Sequence, residues 1–464
     1  MKSLYAVLAL PALLAANLCA QIVSDTAVSD TANSGAPVTK GLVPTIPGTI
    51  RILKRSIQEV QNGRGPSFQL GFGLDSSNLG TNINYHDGLV MERTHNVYFI
   101  WYGNWSGHPA TTILPQFIRD INGSTYQDID NTYFDNSLHI TSNLTMSSQA
   151  FDSYSQGTSL SDSSVQAIVN RALSLGQLPV DASGIYYVLT SPDVSETSGF
   201  CATGSTGYCG WHTHASLHSA DIKYSFVGNP DRCPSLCEAQ QTSPNGSVAA
   251  DSMANVMSHE LSETLTDPDT HTGWWRASSP FNLEMGDLCA WNFGTEFHAP
   301  NGSFANITLN GRDYLIQQLY SNSGSGSCAM SYQPITGLCY AAYVSNIGLM
   351  PFVCDGDVGG TVHQSRNMEG IEITAPAGYS VCYQVYASGI GWMSTQCNGA
   401  FAGTMHQSRQ IEAMKVWFAS GSGHVEYFAE LANLFWTGPA RDGQMIGTTG
   451  QSRAMEAVVI RAFH

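Results

Sequence analysis

The stretch SHELSETLTDP, Ser258 to Pro268, ends a segment that reads as one helix from about Ser247 to Leu265, stopped by Asp267-Pro268. At about 100° per residue, Met253, Val256, Met257, Leu261 and Leu265 share one face. His259 and Glu263, four apart, stand together at its border, where a solvated polar face accommodates them. Glu260 falls on the apolar side. A carboxylate there is costly unless it is paired or put to use.

The spacing fits metal chemistry. Side chains at i and i+4 of a helix point at one ion, and the Glu that follows the His holds and deprotonates a metal-bound water. His259 and Glu263 therefore read as ligands and Glu260 as general base, with Glu263 where His-Glu-x-x-His places its second histidine. The third ligand is expected from LEMGDLCAW, namely Glu284, with Asp287 beside it on the same turn. Asp269 is the rival. Glu284 is preferred because Cys289 tethers its segment. Such an oxygen-rich set takes a divalent metal, zinc first, with manganese, iron or calcium as alternatives. His212 and His214 in CGWHTH, and His218 after it, read as loop histidines that line the same cleft or face solvent.

Upstream, strands alternate with helices. HNVYFIWYGNW (His95 to Trp105), GIYYVLTSPDV (Gly184 to Val194) and IKYSFVGNP (Ile222 to Pro230) read as strands. Ala110 to Ile121 and Val165 to Leu175 read as helices. This alternation predicts an α/β sheet. A strand followed by a long helix bearing His-Glu is the local layout of zincins.

The first twenty residues read as a secretory signal: Lys2, the apolar run Leu4 to Leu14, then small residues near Ala20. The apolar run is too short to span a membrane comfortably, and no later stretch reads as a membrane span. Residues 21–84 read as a flexible linker or pro-segment. The formal charge is −17, and loss of the leader with Lys2 makes it one unit more negative. A chain that acidic is a poor nucleic-acid binder, because neutralising phosphates needs Lys and Arg. Of the 11 cysteines, Cys19 lies in the leader and the rest are even in number, as expected for disulfides in an oxidising compartment. Local pairs Cys201–Cys209, Cys233–Cys237 and Cys289–Cys328 are expected, although spacing leaves the connectivity open.

The C-terminal part repeats itself. GGTVHQSRNMEG (Gly359 to Gly370), AGTMHQSRQIEA (Ala402 to Ala413) and IGTTGQSRAMEA (Ile446 to Ala457) align. Cys339 and Cys354 of the first unit match Cys382 and Cys397 of the second. In the third, both become charged, Glu426 and Arg441. Residues lost as a pair are expected to have been bonded as a pair, so Cys339–Cys354 and Cys382–Cys397 are predicted disulfides. Glu426–Arg441 is expected as an exposed ion pair of little weight. Each Arg366/Glu369, Arg409/Glu412 and Arg453/Glu456 reads as a structural pair that fixes a turn. Short strands with glycine turns, three times over, predict a closed pseudo-threefold all-β region, a β-prism or β-trefoil.

Two resemblances follow from these residues. Gly391-Trp392, Asn398-Gly399, Gly403-Thr404 and Gln407 to Ala413 resemble the ChW (clostridial hydrophobic) repeats, over roughly residues 339–464. That resemblance implies a secreted or surface protein binding carbohydrate or other proteins. NVYFIWYGNW, YCGWHTH with IKYSFVGNPDRCPSLC, SHELSETLTDP and LEMGDLCAW resemble the EXORDIUM / phosphate-induced-protein family, over roughly 85–332. It implies export to the cell wall and makes the metal segment a family feature, without implying an enzymatic activity.

The expectation is thus a zincin-like, metal-binding α/β domain (85–332), followed by three ChW-like repeats (339–464), in a protein that is secreted, extracellular or in the cell wall. Its expected function is metal-dependent, peptidase-like hydrolysis, targeted by the repeats to extracellular polysaccharide, cell-wall or surface protein. The alternative is a non-catalytic binding or signalling protein with a structural ion.

Overall fold

The computed structural model of the chain describes residues 83–203, 207–277 and 282–464, and the backbone of 41–44. The leader expected at 1–20 and most of segment 21–84 lie outside the described residues.

The α/β part is built from β1 (Gly41–Pro44), β2 (His95–Tyr102), α1 (Ala110–Ile121), β3 (Leu144–Asp152), α2 (Asp162–Ser174), β4 (Gly184–Thr190), β5 (Tyr208–Leu217), β6 (Ala220–Val227) and α3 (Val248–Thr266). The strand order is β1-β5-β6-β4-β2-β3. Strands β6, β4, β2 and β3 are parallel; β5 returns antiparallel to β6, and β1 lies antiparallel on β5. Every residue of β4 is buried, as a parallel strand covered on both faces requires. So β1 falls within the segment expected as linker or pro-segment, and sits there as a strand.

Helix α3 starts at Ser247, whose hydroxyl accepts the Ala250 N–H. It ends at Asp267, whose carboxylate accepts the N–H groups of His271, Thr272 and Gly273. From Ala249 to Thr266 every residue is buried. The solvated face expected for His259 and Glu263 does not exist, because β5 packs on one side of α3 and α1 on another. Gly210 on β5 permits this approach: a Cβ there would lie 2.6 Å from Val256 Cγ1. CGWHTH, expected as a loop, is the first half of β5.

The disulfides Cys289–Cys328, Cys339–Cys354 and Cys382–Cys397 pair as expected. The other two do not. Cys201 bonds Cys233 and Cys209 bonds Cys237, because the short helix Pro234–Cys237, with Cys233 as its N-cap, packs on β5 and sets a cysteine at each of its ends.

The C-terminal region is all-β: β7 (Cys339–Val344), β8 (Gly359–Gly360), β9 (Met368–Thr374), β10 (Ser380–Ala387), β11 (Ala402–Gly403), β12 (Ile411–Ser420), β13 (His424–Leu431), β14 (Trp436–Arg441), β15 (Ile446–Gly447) and β16 (Met455–Phe463). Each repeat forms one antiparallel pair, β7/β9, β10/β12 or β13/β16, and lends its short strand to a neighbour. β11 joins β9, β15 joins β12, and β8 joins β16. The exchange is cyclic, and Tyr340, Tyr383 and Tyr427 are buried within the one core shared by the three sheets.

This exchange explains the repeated Gly-Thr and Glu. A Cβ on Gly403 would sit 2.2 Å from Glu369 O, and Gly403 has φ +123°, so only glycine lets the lent strand lie there. The next residue, Thr404, donates its N–H to Glu369 O at 2.8 Å; Thr448 and Thr361 do the same to Glu412 and Glu456. The expected Arg–Glu pairs are corrected. Arg409 and Arg453 donate instead to the carbonyls of Ser388 and Ala432. The Glu369 and Glu412 carboxylates accept the N–H of Gln407 and Gln451 from the following repeat.

Two repeats meet the α/β domain: the first through Asp357, to which His139 is hydrogen-bonded, and Val358, which donates its N–H to Ser137 O, and the third through a larger aromatic and ionic contact. Phe134 packs on Phe428 and Trp436, with centroids 5.1 and 5.3 Å away. Trp436 Nε1 donates to Asn136 Oδ1, and Arg461 donates to the carbonyls of Thr132 and Asn322. The tryptophans at repeat positions are therefore not equivalent: Leu349 is exposed, Trp392 lies under Lys415, and Trp436 belongs to this contact.

Candidate metal centre

Helix α3, strand β5 and the Glu284–Asp287 turn converge on one buried group. His259 and Glu263 come from one face of α3 at i and i+4, with His259 Nε2 at 2.9 Å from Glu263 Oε1. Asp287 Oδ1 lies 3.7 Å from the same nitrogen. From β5, His212 Nε2 stands 3.5 Å from Glu284 Oε1, and its Nδ1 stands 3.6 Å from Glu263 Oε2 and 3.1 Å from Glu260 Oε2. His212, His259, Glu260, Glu263 and Glu284 are all 0% exposed. The Asp287 side chain is 9% exposed.

Local structure holds these groups in place. The Asp287 N–H donates to Glu263 Oε1 at 3.0 Å, and the Glu284 N–H to Asp287 Oδ2. Gln317 fixes the turn by donating from Nε2 to Gly286 O, while its N–H donates to Asn255 Oδ1 on α3. Gly286 is required by proximity: a Cβ there would lie 2.8 Å from both Glu263 Oε1 and His259 Cγ.

Among the described residues, several buried polar atoms of the group find no hydrogen-bond partner: His212 Nε2, both ring nitrogens of His259, Glu263 Oε2 and both carboxyl oxygens of Glu284. Buried polar atoms are normally satisfied, so this concentration of donor atoms calls for a cation. Burial, and then the neighbouring His259, pushes His212 down to about 3. Burial also lowers His259. Both rings are thus held neutral, the form that binds metal. Burial raises Glu263, Glu284 and Asp287 well above the carboxylate range; the Glu263 charge raises the latter two further, and Asp267 raises Glu263. A cation reverses that penalty.

The structure brings together His259, Glu263, Glu284 and Asp287, all four of the ligands read from the sequence, and adds His212. The rival Asp269 lies in a separate cluster, 3.6 Å from His214 Nδ1 and 3.3 Å from Lys223 Nζ. His218 is in the β5–β6 turn beside Ser174. The sequence reading leaves His212 in a loop that lines this cleft or faces solvent; in the structure CGWHTH is part of a strand, with Cys209, Trp211 and Thr213 on one face and His212 and His214 on the other. Glu260 points back from α3 to His212. It holds the ring through Nδ1 and leaves Nε2 toward Glu284, the arrangement in which a carboxylate orients a ligating histidine.

Comparison with known proteins matches residues 83–330 to the phosphate-induced protein 1 conserved region. Residues 343–374, 386–419 and 432–461 match the Clostridial hydrophobic W family. The chain is 29% identical over 302 residues to Protein EXORDIUM-like 3 of Arabidopsis thaliana, covering 56% of this chain and 87% of that protein. It is 29% identical over 250 residues to Protein EXORDIUM-like 5 of the same plant, covering 47% and 67%. No solved structure matches it. Among the described residues, no helix is long and apolar enough to cross a membrane.

Proposed function

The chain belongs to the phosphate-induced protein 1 family, and from that premise we propose that it is an exported, non-catalytic binding protein. Its zincin-like α/β domain, residues 85–332, is organised round a divalent-metal centre. Its repeats, residues 339–464, form a β-prism that attaches to extracellular polysaccharide or to a cell-wall or surface protein. The observation that carries the reading is the burial of the centre. His212, His259, Glu263 and Glu284 are all 0% exposed, which suits an ion that ties α3, β5 and the Glu284–Asp287 turn together. Catalysis needs an open ligand position and room for substrate. Two imidazoles in the set favour zinc, manganese or iron over calcium, which prefers all-oxygen ligands.

Export is supported by five disulfides, since such bonds persist in oxidising compartments. A binding role for the repeats is supported by Ile347, Ile390 and Leu434. These stand at equivalent turns and are 48%, 49% and 44% exposed. Three like apolar tips give a multivalent contact, in which weak single contacts add up to useful avidity.

The test is elemental analysis of the secreted protein beside Glu263→Ala. Bound zinc, manganese or iron that is lost in the variant is the expected result. Metal in neither protein would remove the centre from the proposal. Peptide or glycan hydrolysis by the wild type, abolished in Glu260→Gln, would overturn the non-catalytic part and restore the hydrolase reading.

A further inference from the structure

We propose that the centre holds two divalent ions bridged by Glu263, an inference that rests on the metal reading above. The donor atoms form two triads, His212-Glu263-Glu284 and His259-Glu263-Asp287, and within each the donors lie within 4.8 Å of one another. Glu263 is common to both and turns a different oxygen to each. Its Oε1 lies 2.9 Å from His259 Nε2, and its Oε2 lies 3.6 Å from His212 Nδ1, the ring nitrogen that Glu260 also faces. A carboxylate placed between two imidazoles in this way can bridge two ions, and each half-site would then offer one nitrogen and two carboxylate donors.

The orphaned buried atoms give a second argument, because they fall in both triads. His212 Nε2 and both Glu284 oxygens belong to one, both ring nitrogens of His259 to the other, and Glu263 Oε2 to the shared carboxylate. The surface cluster His214-Asp221-Asp269 is not a third site. The Lys223 ammonium lies 3.3 Å from Asp269 and contacts Asp221, so that cluster already contains its cation.

The full secreted chain is stripped with a chelator, reloaded with zinc alone or manganese alone, freed of excess metal, and its bound metal counted. Two equivalents are expected in the wild type, and one in each of His212→Ala and Asp287→Asn. One equivalent in the wild type would overturn the bridged pair and leave the single-ion reading standing. None would overturn both. Paramagnetic resonance of the manganese-loaded wild type needs no variant to fold. Two spin-coupled ions are expected, and two equivalents with only uncoupled signals would place the second ion outside the Glu263 bridge and overturn the inference.

Discussion

Arg461 Nη2 lies 2.6 Å from Glu426 Oε2, and both residues are buried, at 3% and 0% exposed. Arg441 Nε reaches the other oxygen of Glu426 at 3.0 Å. Glu426 and Arg441 are opposite each other on β13 and β14, at the positions where the first two repeats carry disulfides. The pair expected to be exposed and of little weight is thus part of a buried network. That network binds the third repeat to the α/β domain, since Arg461 also donates to Thr132 and Asn322 and the Gly324 N–H donates to Glu426. Removing one partner of a buried ion pair strands the other charge, at a cost of about 3–5 kcal/mol. Glu426→Ala is expected to lose that much in denaturant unfolding. A loss below about 1 kcal/mol, the range of an exposed pair, would show that the network does not hold the two parts together.

The crossed disulfides make a second prediction. A non-reduced peptide map is expected to link Cys201 to Cys233 and Cys209 to Cys237. Cys209→Ser removes one of two adjacent bonds anchoring the start of β5. It is expected to cost about 2–5 kcal/mol, measured as a lower denaturant midpoint. Recovery of a Cys201–Cys209 peptide would refute the pairing.

Gly286 tests the close approach of the turn to α3. With 2.8 Å from an added Cβ to Glu263 Oε1 and to His259 Cγ, Gly286→Ala pushes both ligands out of place. Metal affinity is expected to fall by about 10–100-fold, the range for lost support of a metal ligand, while the far-ultraviolet spectrum stays native. Unchanged affinity in a competition titration would mean that the turn yields freely.

Glu238 carries a pH dependence. It is buried, and burial, then the charge of Asp231, raises its carboxyl to about 7 from an ordinary 4.5. The folded state therefore holds a proton that the unfolded state has released between those values. Its stabilising contribution is complete below about 4.5 and is lost as the pH rises through about 7. Glu238→Gln, which stays neutral, is expected to be relatively more stable than wild type at pH 8 than at pH 5. Parallel stability curves for the two proteins across that window would refute the shift.

Much of this architecture was legible because the determining signals are local. The stop at Asp267-Pro268 and the apolar period of Met253, Val256, Leu261 and Leu265 located α3 to within a residue. The joint replacement of Cys382 and Cys397 by Glu426 and Arg441 identified the disulfides, since covalent partners are lost together. The remainder depends on long-range packing. Helix α3 covers β5, so both faces of CGWHTH are buried and the polar–apolar contrast that would mark His212 as a strand residue is blurred. Cys233 and Cys237 are set across from Cys201 and Cys209 only by the packing of a short helix on β5. Glu426 is buried by Arg461 and by the α/β domain, neither of which is near it in sequence.

Glu260 separates the binding reading from the catalytic one. Its Oε2 lies 3.1 Å from His212 Nδ1, and the whole side chain is buried. As the group that orients His212, it acts on metal affinity. Glu260→Gln keeps the shape but loses the charge, so the pull on the imidazole N–H weakens, and affinity is expected to fall by about 10–100-fold. As a general base it would act on turnover instead, and removing it would leave the metal bound while costing about 100–10,000-fold in rate. The two roles are thus read out by different measurements on one variant. Weakened metal binding, with no hydrolysis by the wild type of any peptide or glycan offered, is the expected result. Full metal content in the variant, together with a wild-type hydrolysis that the variant loses, would make Glu260 the base.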